Sequence, residues 1–215
     1  MGNLIGRVCT KDDPLRLAVM VSGSGTNLQA IIDAIDEESM PVRIVKVVSS
    51  RPDAYGIERA ESAGIPTLVL NRTSYADPLM ADKLISDDLL ASGAECVAMA
   101  GYMRKCTPVL LDAFRDRVIN LPPALLPSFV GAHAIDDAYD AGVKVTGITV
   151  HLANEEYDKG PIIAQEAVRV EEGMTLDDLE ARIHETEHEV YPRVIRLVAE
   201  GRVSLDEDRH IHIEA

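Results

Sequence analysis

Short apolar runs of strand length alternate with segments of helical period through the first 120 residues, and this alternation limits the fold more than any other feature. The predicted strands cover residues 17–21, 42–48, 67–70, 96–100 and 117–120, and the predicted helices cover residues 28–35, 54–63, 75–90 and 108–114. In the first helix, for example, Leu28, Ile31, Ile32 and Ile35 fall on one face. Strands that alternate with helices in this way predict a parallel sheet covered on both faces.

The second half of the chain departs from this alternation. Prolines mark an irregular segment at 122–127, a helix is predicted at 134–140, and strands at 146–152 and 162–170 flank an acidic loop. We expect these two strands to join the sheet as an antiparallel, hairpin-like pair. The sequence thus predicts an α/β protein with an open, mostly parallel, doubly wound sheet and antiparallel strands in its C-terminal half.

Capping residues and composition changes suggest where helices and domains begin and end. Asp53 is expected to cap the second helix. Thr175, followed three residues later by Asp178, is expected to cap a long helix at 176–200 that Gly201 ends. We predict an N-terminal extension at 1–14, a single domain at 15–205 and a polar C-terminal tail at 206–215, with a short strand near 210–213.

The charge balance excludes several classes of partner. The chain has 36 Asp and Glu against 21 Lys and Arg, a formal net charge of -15, which disfavours binding to nucleic acid or to an anionic membrane surface. Its three cysteines lack paired spacing, its six histidines suggest no metal site, and no apolar run reaches the length of a membrane span. We therefore expect a cytoplasmic protein that acts on small molecules, without a metal.

A glycine-rich turn at 23–27 joins the first strand to the first helix. Backbone N–H groups at a helix N-terminus, beside residues small enough for close approach, form an anion site that fits a phosphate. The alternative is a turn that only reverses the chain. Because Leu28 stands where a dinucleotide fingerprint has its third glycine, and no acid follows the second strand at Arg51, a nicotinamide oxidoreductase is disfavoured.

Two polar residues in the second half are candidates for chemistry. Asn120 closes a strand at the edge where open α/β sheets bind ligands, and its amide can donate to a developing oxyanion. Asp158 precedes a rigid Lys-Gly-Pro turn, and a carboxylate held there can act as a general base or orient one. The alternatives are that Asn120 only begins a proline-rich turn and that Asp158 belongs to a solvated acidic loop.

Taken in order, six segments resemble the phosphoribosylglycinamide formyltransferases, folate-dependent enzymes of purine synthesis. They are VSGSGTNLQ at 21–29, AGYMR at 100–104, Asn120 with PALLP at 123–127, GITVH at 147–151, DKGPII at 158–163 and EHEVYP at 187–192. The resemblance runs from about residue 16 to about residue 205, and the order and spacing of the segments are more specific than any one of them. It implies the formyltransferase fold, with a phosphate-binding N-terminal half and a folate-binding C-terminal half.

The resemblance also implies substrates and residue roles. Such enzymes transfer a formyl group from 10-formyltetrahydrofolate to the amine of glycinamide ribonucleotide, and the chain would act as a monomer or homodimer. The substrate phosphate would be held by Gly25, Thr26 and Asn27, and the ribose by Glu187. Asn120 would stabilise the oxyanion and Asp158 would help to remove the amine proton. The folate would be bordered by Met103, Arg104, Lys105, Cys106, Asn154, Glu155, Glu156, Tyr157 and Asp158.

One position departs from the pattern of the resembled family. That pattern is Asn-x-His-Pro, whereas this chain has Pro122 in place of the histidine. Proline can neither donate a hydrogen bond nor titrate, so turnover is expected to be impaired; His133 and His151 are candidates to assist instead. The alternatives are a catalytically silent protein that binds folate or a ribonucleotide, and another formyl-folate-dependent transferase or hydrolase.

Overall fold

A computed structural model describes residues 2–37 and 39–214 as one α/β assembly around a central sheet. The strands of the sheet are β1 (Leu15–Val21), β2 (Val42–Ser49), β3 (Thr67–Val69), β4 (Cys96–Met99), β5 (Val118–Asn120), β6 (Val145–Leu152) and β7 (Ile162–Arg169). The helices are α1 (Thr26–Glu37), α2 (Gly56–Ser62), α3 (Pro78–Ala91), α4 (Pro108–Ala113), α5 (Ala134–Asp140) and α6 (Leu176–Ala199).

The seven strands lie in the order β3-β2-β1-β4-β5-β6-β7. The first five run parallel, while β5 pairs antiparallel with β6 and β6 antiparallel with β7. This arrangement confirms the predicted mostly parallel sheet with antiparallel strands in the C-terminal half. Because the chain adds β2 and β3 on one side of β1 and then β4 and β5 on the other, the strand order reverses between β1 and β4, where such sheets form a ligand crevice.

Each face of the sheet has its own hydrophobic core. On β1, Leu17 and Val19 face one core, which α1 and α6 complete, whereas Ala18 and Met20 face the other, which α3 and α4 complete. All four residues have no exposed surface. Burial on both faces explains why the predicted strands read as continuous apolar runs rather than alternating ones.

The long helix α6 begins as the sequence predicted. The Thr175 side chain accepts from the Asp178 N–H at 3.2 Å, and Asp178 Oδ2 accepts from the Thr175 N–H at 3.0 Å, which completes a capping box. The predicted cap of α2 was wrong: the helix starts at Gly56, and Asp53 forms an exposed ion pair with Arg51 at 2.6 Å. Arg51, two residues earlier, holds the Asp53 carboxylate that a cap would need.

The third helix also starts later than predicted. Residues Ser74–Ala76 form a 3₁₀ turn, and α3 begins at Pro78 because Asp77 caps it by accepting from the Leu79 and Met80 N–H groups. The predicted helix at 75–90 had merged the turn with the helix. Across the described part of the chain, no helix combines the length and the apolar character needed to cross a membrane.

The predicted N-terminal extension packs against the end of α6 and the strand that follows it. A hairpin, β8 (Val203–Leu205) with β9 (Ile211–Ile213), crosses the predicted boundary between domain and tail, and only its second strand was predicted. The N-terminal segment binds this region through the Leu4 N–H to the Val203 carbonyl at 3.0 Å and the Cys9 N–H to the Ala199 carbonyl at 2.8 Å. Met1 and Ala215, the outer ends of both segments, lie outside the described residues, and the division into three parts stays a prediction.

Candidate active site

A cavity of about 260 Å³ opens at the carboxyl ends of β1, β4 and β5. Its lining comes from the turn after β1, the loop after β4, the segment after β5, the loop between β6 and β7, and α6. It therefore lies at the reversal of strand order, where the topology predicts a ligand crevice. Convergence of polar groups from five segments on one cavity is typical of a small-molecule site.

The glycine-rich turn places the start of α1 at one end of the cavity. Gly25 has φ +70°, and a Cβ at this position would lie 2.6 Å from the Gly56 Cα, so only glycine fits. Thr26 and Asn27 follow as the first residues of α1, and all three predicted phosphate-binding residues line the cavity. The unpaired N–H groups of a helix start, approached closely through glycine, suit an anion.

Glu187 reaches this end of the cavity from α6. Its side chain is buried, and its Oε2 accepts from Asn27 Nδ2 and from His184 Nδ1, both at 2.9 Å. The bond to Glu187 raises the pKa of His184 above its usual value, against the opposing effect of burial. Sequence reasoning missed His184, although its i,i+3 spacing to Glu187 places both on one face of the helix.

Asn120 and His151 meet because β5 and β6 pair in register. The two residues are direct partners in that antiparallel pair. Asn120 Nδ2 lies 3.2 Å from His151 Nε2 and donates to Asp158 Oδ1 at 3.1 Å. His151 Nε2 lies 3.5 Å from the same Asp158 oxygen. An amide, an imidazole and a carboxylate therefore form one contact group at the cavity wall.

The loop between β6 and β7 holds Asp158 in an uncommon backbone conformation. Its φ is +53°, and its side chain is only 4% exposed although it follows three exposed residues. Gly160 fixes the loop against the sheet, because a Cβ there would collide with the Leu152 carbonyl. The carboxylate of Asp158 is therefore buried, whereas Glu155 and Glu156 beside it in the sequence are exposed.

The structure separates the two candidate histidines. His151 is 1% exposed and contacts Asn120, whereas His133 is exposed, directly precedes α5 and is absent from the described lining of the cavity. Pro122 is buried in the cavity wall, and its carbonyl accepts from the Thr149 N–H at 3.1 Å. The position where the resembled family has a histidine thus faces the cavity with a ring that can neither donate nor titrate.

The loop after β4 forms another wall. Of the residues predicted to border the folate, the four in this loop all line the cavity: Met103, Arg104, Lys105 and Cys106. The loop is anchored because the Met103 N–H donates to Ser22 Oγ at 2.8 Å, and Ser22 Oγ lies 2.6 Å from Ser50 Oγ. Burial raises the pKa of the Cys106 thiol to about 12, which keeps it protonated and unreactive. Sequence reasoning missed the two anchoring serines.

The opposite wall uses only part of the predicted run at 154–158. Asn154, Tyr157 and Asp158 line the cavity, whereas Glu155 and Glu156 are exposed and outside the described lining. Among the described residues, the buried Asn154 Oδ1 has no hydrogen-bond partner, and the same holds for Asn27 Oδ1 at the other end of the cavity. Since buried acceptors are nearly always paired, both suit donor groups of a bound ligand.

Within residues 2–37 and 39–214, no three or more His, Cys, Asp or Glu side chains cluster in a way that could hold a metal ion. The chemistry that the lining offers is hydrogen bonding, anion binding and proton transfer.

Several known proteins are similar to this chain in sequence and in fold. The chain is 42% identical over 181 residues to the phosphoribosylglycinamide formyltransferase of Bacillus subtilis, covering 84% of this chain and 93% of that protein. It is 40% identical to the trifunctional purine biosynthetic protein adenosine-3 of Bos taurus, but spans only 21% of that protein's length. The crystal structure of glycinamide ribonucleotide transformylase 1 from Symbiobacterium toebii matches with a TM-score of 0.90 and 44% identity, covering 94% of this chain and 95% of that one.

A family model described as "Formyl transferase" matches residues 15–195, which include every strand of the central sheet and every residue of the contact group at Asn120. Membership implies a folate-type donor of the formyl group. On this match and on the likeness to its relatives, the chain belongs to the formyl transferase family.

Proposed function

We propose that this protein transfers the formyl group of 10-formyltetrahydrofolate to the amine of glycinamide ribonucleotide, a step in the synthesis of purines. The observation that carries the proposal is the contact between the Asn120 amide and the Asp158 carboxylate, 3.1 Å apart, in a cavity that also contains a helix-start anion site. The names of the relatives from Bacillus subtilis and Symbiobacterium toebii support the same substrate.

In this proposal the ribonucleotide occupies the end of the cavity formed by α1 and α6. The phosphate binds the N–H groups at Gly25, Thr26 and Asn27, and the Glu187 carboxylate accepts from the ribose hydroxyls. The unpaired Asn27 Oδ1 offers a further acceptor for a ribose hydroxyl. A chain of net charge -15 can bind a phosphate here because the helix start supplies local positive potential.

The folate lies between the loop after β4 and the loop before β7. Met103 and Cys106 supply apolar wall, and Arg104, stacked on Tyr75 at 4.6 Å, supplies a cation at the rim. The unpaired Asn154 Oδ1 accepts from an N–H of the pterin. Because this wall uses a loop from the N-terminal half, and the ribonucleotide end uses Glu187 from the C-terminal half, the division of a domain at 15–205 into a phosphate-binding and a folate-binding half stays a prediction.

The reaction needs a donor for negative charge and an acceptor for a proton. The amine of the ribonucleotide attacks the formyl carbon, and the carbonyl oxygen becomes an oxyanion that the Asn120 amide stabilises. Asp158 accepts the amine proton, directly or through water. When the bond between the formyl carbon and the folate nitrogen breaks, that proton passes to the departing nitrogen.

Pro122 limits this chemistry. One oxyanion donor is typically worth about 10²–10³ in kcat, and proline supplies none at a position that lines the cavity. We therefore expect Pro122→His to raise kcat by up to about 10²-fold. The substitution keeps the backbone carbonyl that the Thr149 N–H requires.

The test is a steady-state assay of the parent and Pro122→His with both substrates, with binding of glycinamide ribonucleotide measured by calorimetry. Turnover in the parent that increases in the variant supports the proposal. Binding without turnover in either protein would favour a catalytically silent binding protein. This is the second candidate function, because Pro122 supplies no hydrogen-bond donor. Absence of both turnover and binding would overturn the proposed function.

A further inference from the structure

The side-chain amide nitrogen of Asn120 lies within hydrogen-bond distance of two side chains of the site in the resting structure. An amide nitrogen carries two hydrogens. Asn120 Nδ2 directs one to Asp158 Oδ1 at 3.1 Å and has His151 Nε2 as its second neighbour at 3.2 Å. If both bonds persist during the reaction, the group assigned to the oxyanion cannot reach it.

The hydrogen-bond pattern of His151 fixes the ring nitrogen that carries its proton. His151 Nδ1 lies 3.0 Å from the Leu152 carbonyl oxygen, which can only accept, so Nδ1 is protonated. In the neutral ring Nε2 is then a lone pair and must accept from Asn120. The imidazole is 1% exposed, which leaves the protein to satisfy both nitrogens.

Two acceptors therefore face each other across the amide of Asn120. His151 Nε2 and Asp158 Oδ1 are 3.5 Å apart, and among the described residues Asp158 is the ionisable side chain in contact with the ring. With only lone pairs between them they repel, and the two hydrogens of Asn120 hold them together. A proton placed between the ring nitrogen and the carboxylate oxygen would replace that function of Asn120.

We propose that His151 is a positioning residue that shares the amine proton with Asp158 and thereby releases one Asn120 hydrogen to the oxyanion. The inference rests on the proposed function and adds a link between its two halves, proton removal and charge stabilisation. His151 acts through Asn120 and Asp158 rather than on the substrate.

The proton balance of the step closes without a further reactant. As the nitrogen–carbon bond forms, the amine loses one proton, which bridges Asp158 Oδ1 and His151 Nε2. The electron pair of the carbonyl moves to oxygen, where the released Asn120 N–H donates to it. When that pair returns, the bond to the folate nitrogen breaks, the bridging proton moves to this nitrogen, and Asn120 resumes both of its bonds.

The kinetic test compares the parent with His151→Gln, whose side-chain oxygen can accept from Asn120 but cannot hold the proton. We expect kcat to fall by about 10²-fold or more, with the KM for each substrate changed less than about threefold, because the ring is only 1% exposed. His212→Gln is the matched control, since that ring lies in the β8–β9 hairpin and pairs with Asp206. A parent-like kcat in His151→Gln would overturn the inference.

A spectroscopic test does not depend on turnover. In ¹⁵N-histidine-labelled protein, the resonances that disappear in His151→Gln identify the ring, and their shifts should report Nδ1 protonated and Nε2 free in the unligated parent. A ring protonated at Nε2 alone would overturn the inference even if His151→Gln is inactive or fails to fold. If the parent lacks transferase activity, the proposed function is wrong. The protonation of the His151 ring can still be measured in the same protein.

His133→Gln separates the two candidate histidines in the same assay. Because His133 is exposed and outside the described lining, we expect a small effect on kcat. A larger loss in His133→Gln than in His151→Gln would assign the assisting role to His133 and contradict the inference.

Discussion

At the scale of single residues, Asp158 combines a chemical demand with a conformational one. A φ of +53° is uncommon for any residue with a side chain, but Asn and Asp adopt it more readily than most. The backbone therefore restricts this position to a few residue types before any chemistry is considered. Only one of those types supplies a carboxylate.

Asp158→Asn should separate these two demands. We expect thermal stability to stay close to that of the parent, because asparagine tolerates the left-handed conformation, and kcat to fall by about 10²–10⁴ because the proton acceptor is lost. Differential scanning calorimetry and steady-state kinetics measure the two quantities. Asp116→Asn is the control, since Asp116 has φ +57° and pairs with Arg209 outside the described cavity lining. A parent-like kcat in Asp158→Asn would contradict the assigned role.

The contact between His184 and Glu187 should make stability depend on pH. The Glu187 hydrogen bond raises the folded-state pKa of His184 above the unfolded value of 6.5. A raised pKa means that the contribution is complete below pH 6.5 and is lost as pH rises through the folded-state pKa.

We therefore expect the parent to exceed His184→Gln in free energy of unfolding most strongly below pH 6.5, with the difference shrinking at higher pH. Urea unfolding of both proteins across this pH range measures the effect. Because His184 is about half exposed, solvent screening keeps it small. A difference that grew with increasing pH would contradict the assignment.

At the scale of elements, α6 is tied to the strands that carry the site. The buried Tyr191 hydroxyl lies 3.1 Å from the Met99 carbonyl and 2.9 Å from the Ile119 carbonyl, at the ends of β4 and β5. The one hydrogen of the Tyr191 hydroxyl is shared between these two carbonyl oxygens, and Met99 itself lines the cavity. Burial raises the pKa of this phenol far above its usual value, so it remains a donor throughout the physiological range.

Tyr191→Phe should lower the free energy of unfolding by about 1–3 kcal/mol, because it leaves two buried carbonyls without their donor. Chemical denaturation measures the change. Tyr55→Phe removes the same hydroxyl from a half-exposed ring and should have little effect. Equal stability of the two variants would show that the carbonyls find other donors.

The success of sequence reasoning depended on how local each signal is. The strands and the Thr175 capping box were predicted because their residues lie within a few positions of one another. The predicted cap at Asp53 failed because Arg51 takes its carboxylate. Strand β8 was missed although β9, of the same length, was predicted.

The site was predicted as separate residues but not as a contact group. Asn120 and Asp158 were each recognised from their positions in the chain. The choice between His133 and His151 depended on the register of β5 with β6, which no local pattern encodes. Glu155 and Glu156 were grouped with Asp158 by sequence, and the turn of the loop separates them from it.

At the scale of the whole molecule, one ion pair links the N-terminal segment to the sheet. Arg7 Nη2 lies 2.8 Å from Glu95 Oε2, just before β4, and Arg7 Nη1 lies 2.9 Å from Asp13. The Glu95 side chain is 17% exposed, and Arg16 also contacts it at 3.3 Å. The Arg7–Glu95 pair therefore connects the N-terminal segment, which contacts the β8–β9 hairpin, with the centre of the sheet.

Arg7→Ala should lower the free energy of unfolding by about 1–2 kcal/mol without changing kcat, because it removes charged hydrogen bonds from a largely buried carboxylate far from the reacting groups. Thermal denaturation and the formyl transfer assay measure the two effects. Lys83→Ala, which removes an ion pair to Asp87 that is about 60% exposed on both sides, should leave stability almost unchanged. A loss of kcat in Arg7→Ala would show that the segment supports the site.

The hydrogen bond between Asn27 and Glu187 spans 160 positions of the chain. During synthesis, the first helix leaves the ribosome long before the residue that completes its pocket has been translated. The growing chain can form the glycine turn early, but the carboxylate that accepts from Asn27 is missing until the first half of α6 has emerged. A nascent chain therefore gains this contact only after residue 187 has been translated, and it cannot guide the folding of the early strands.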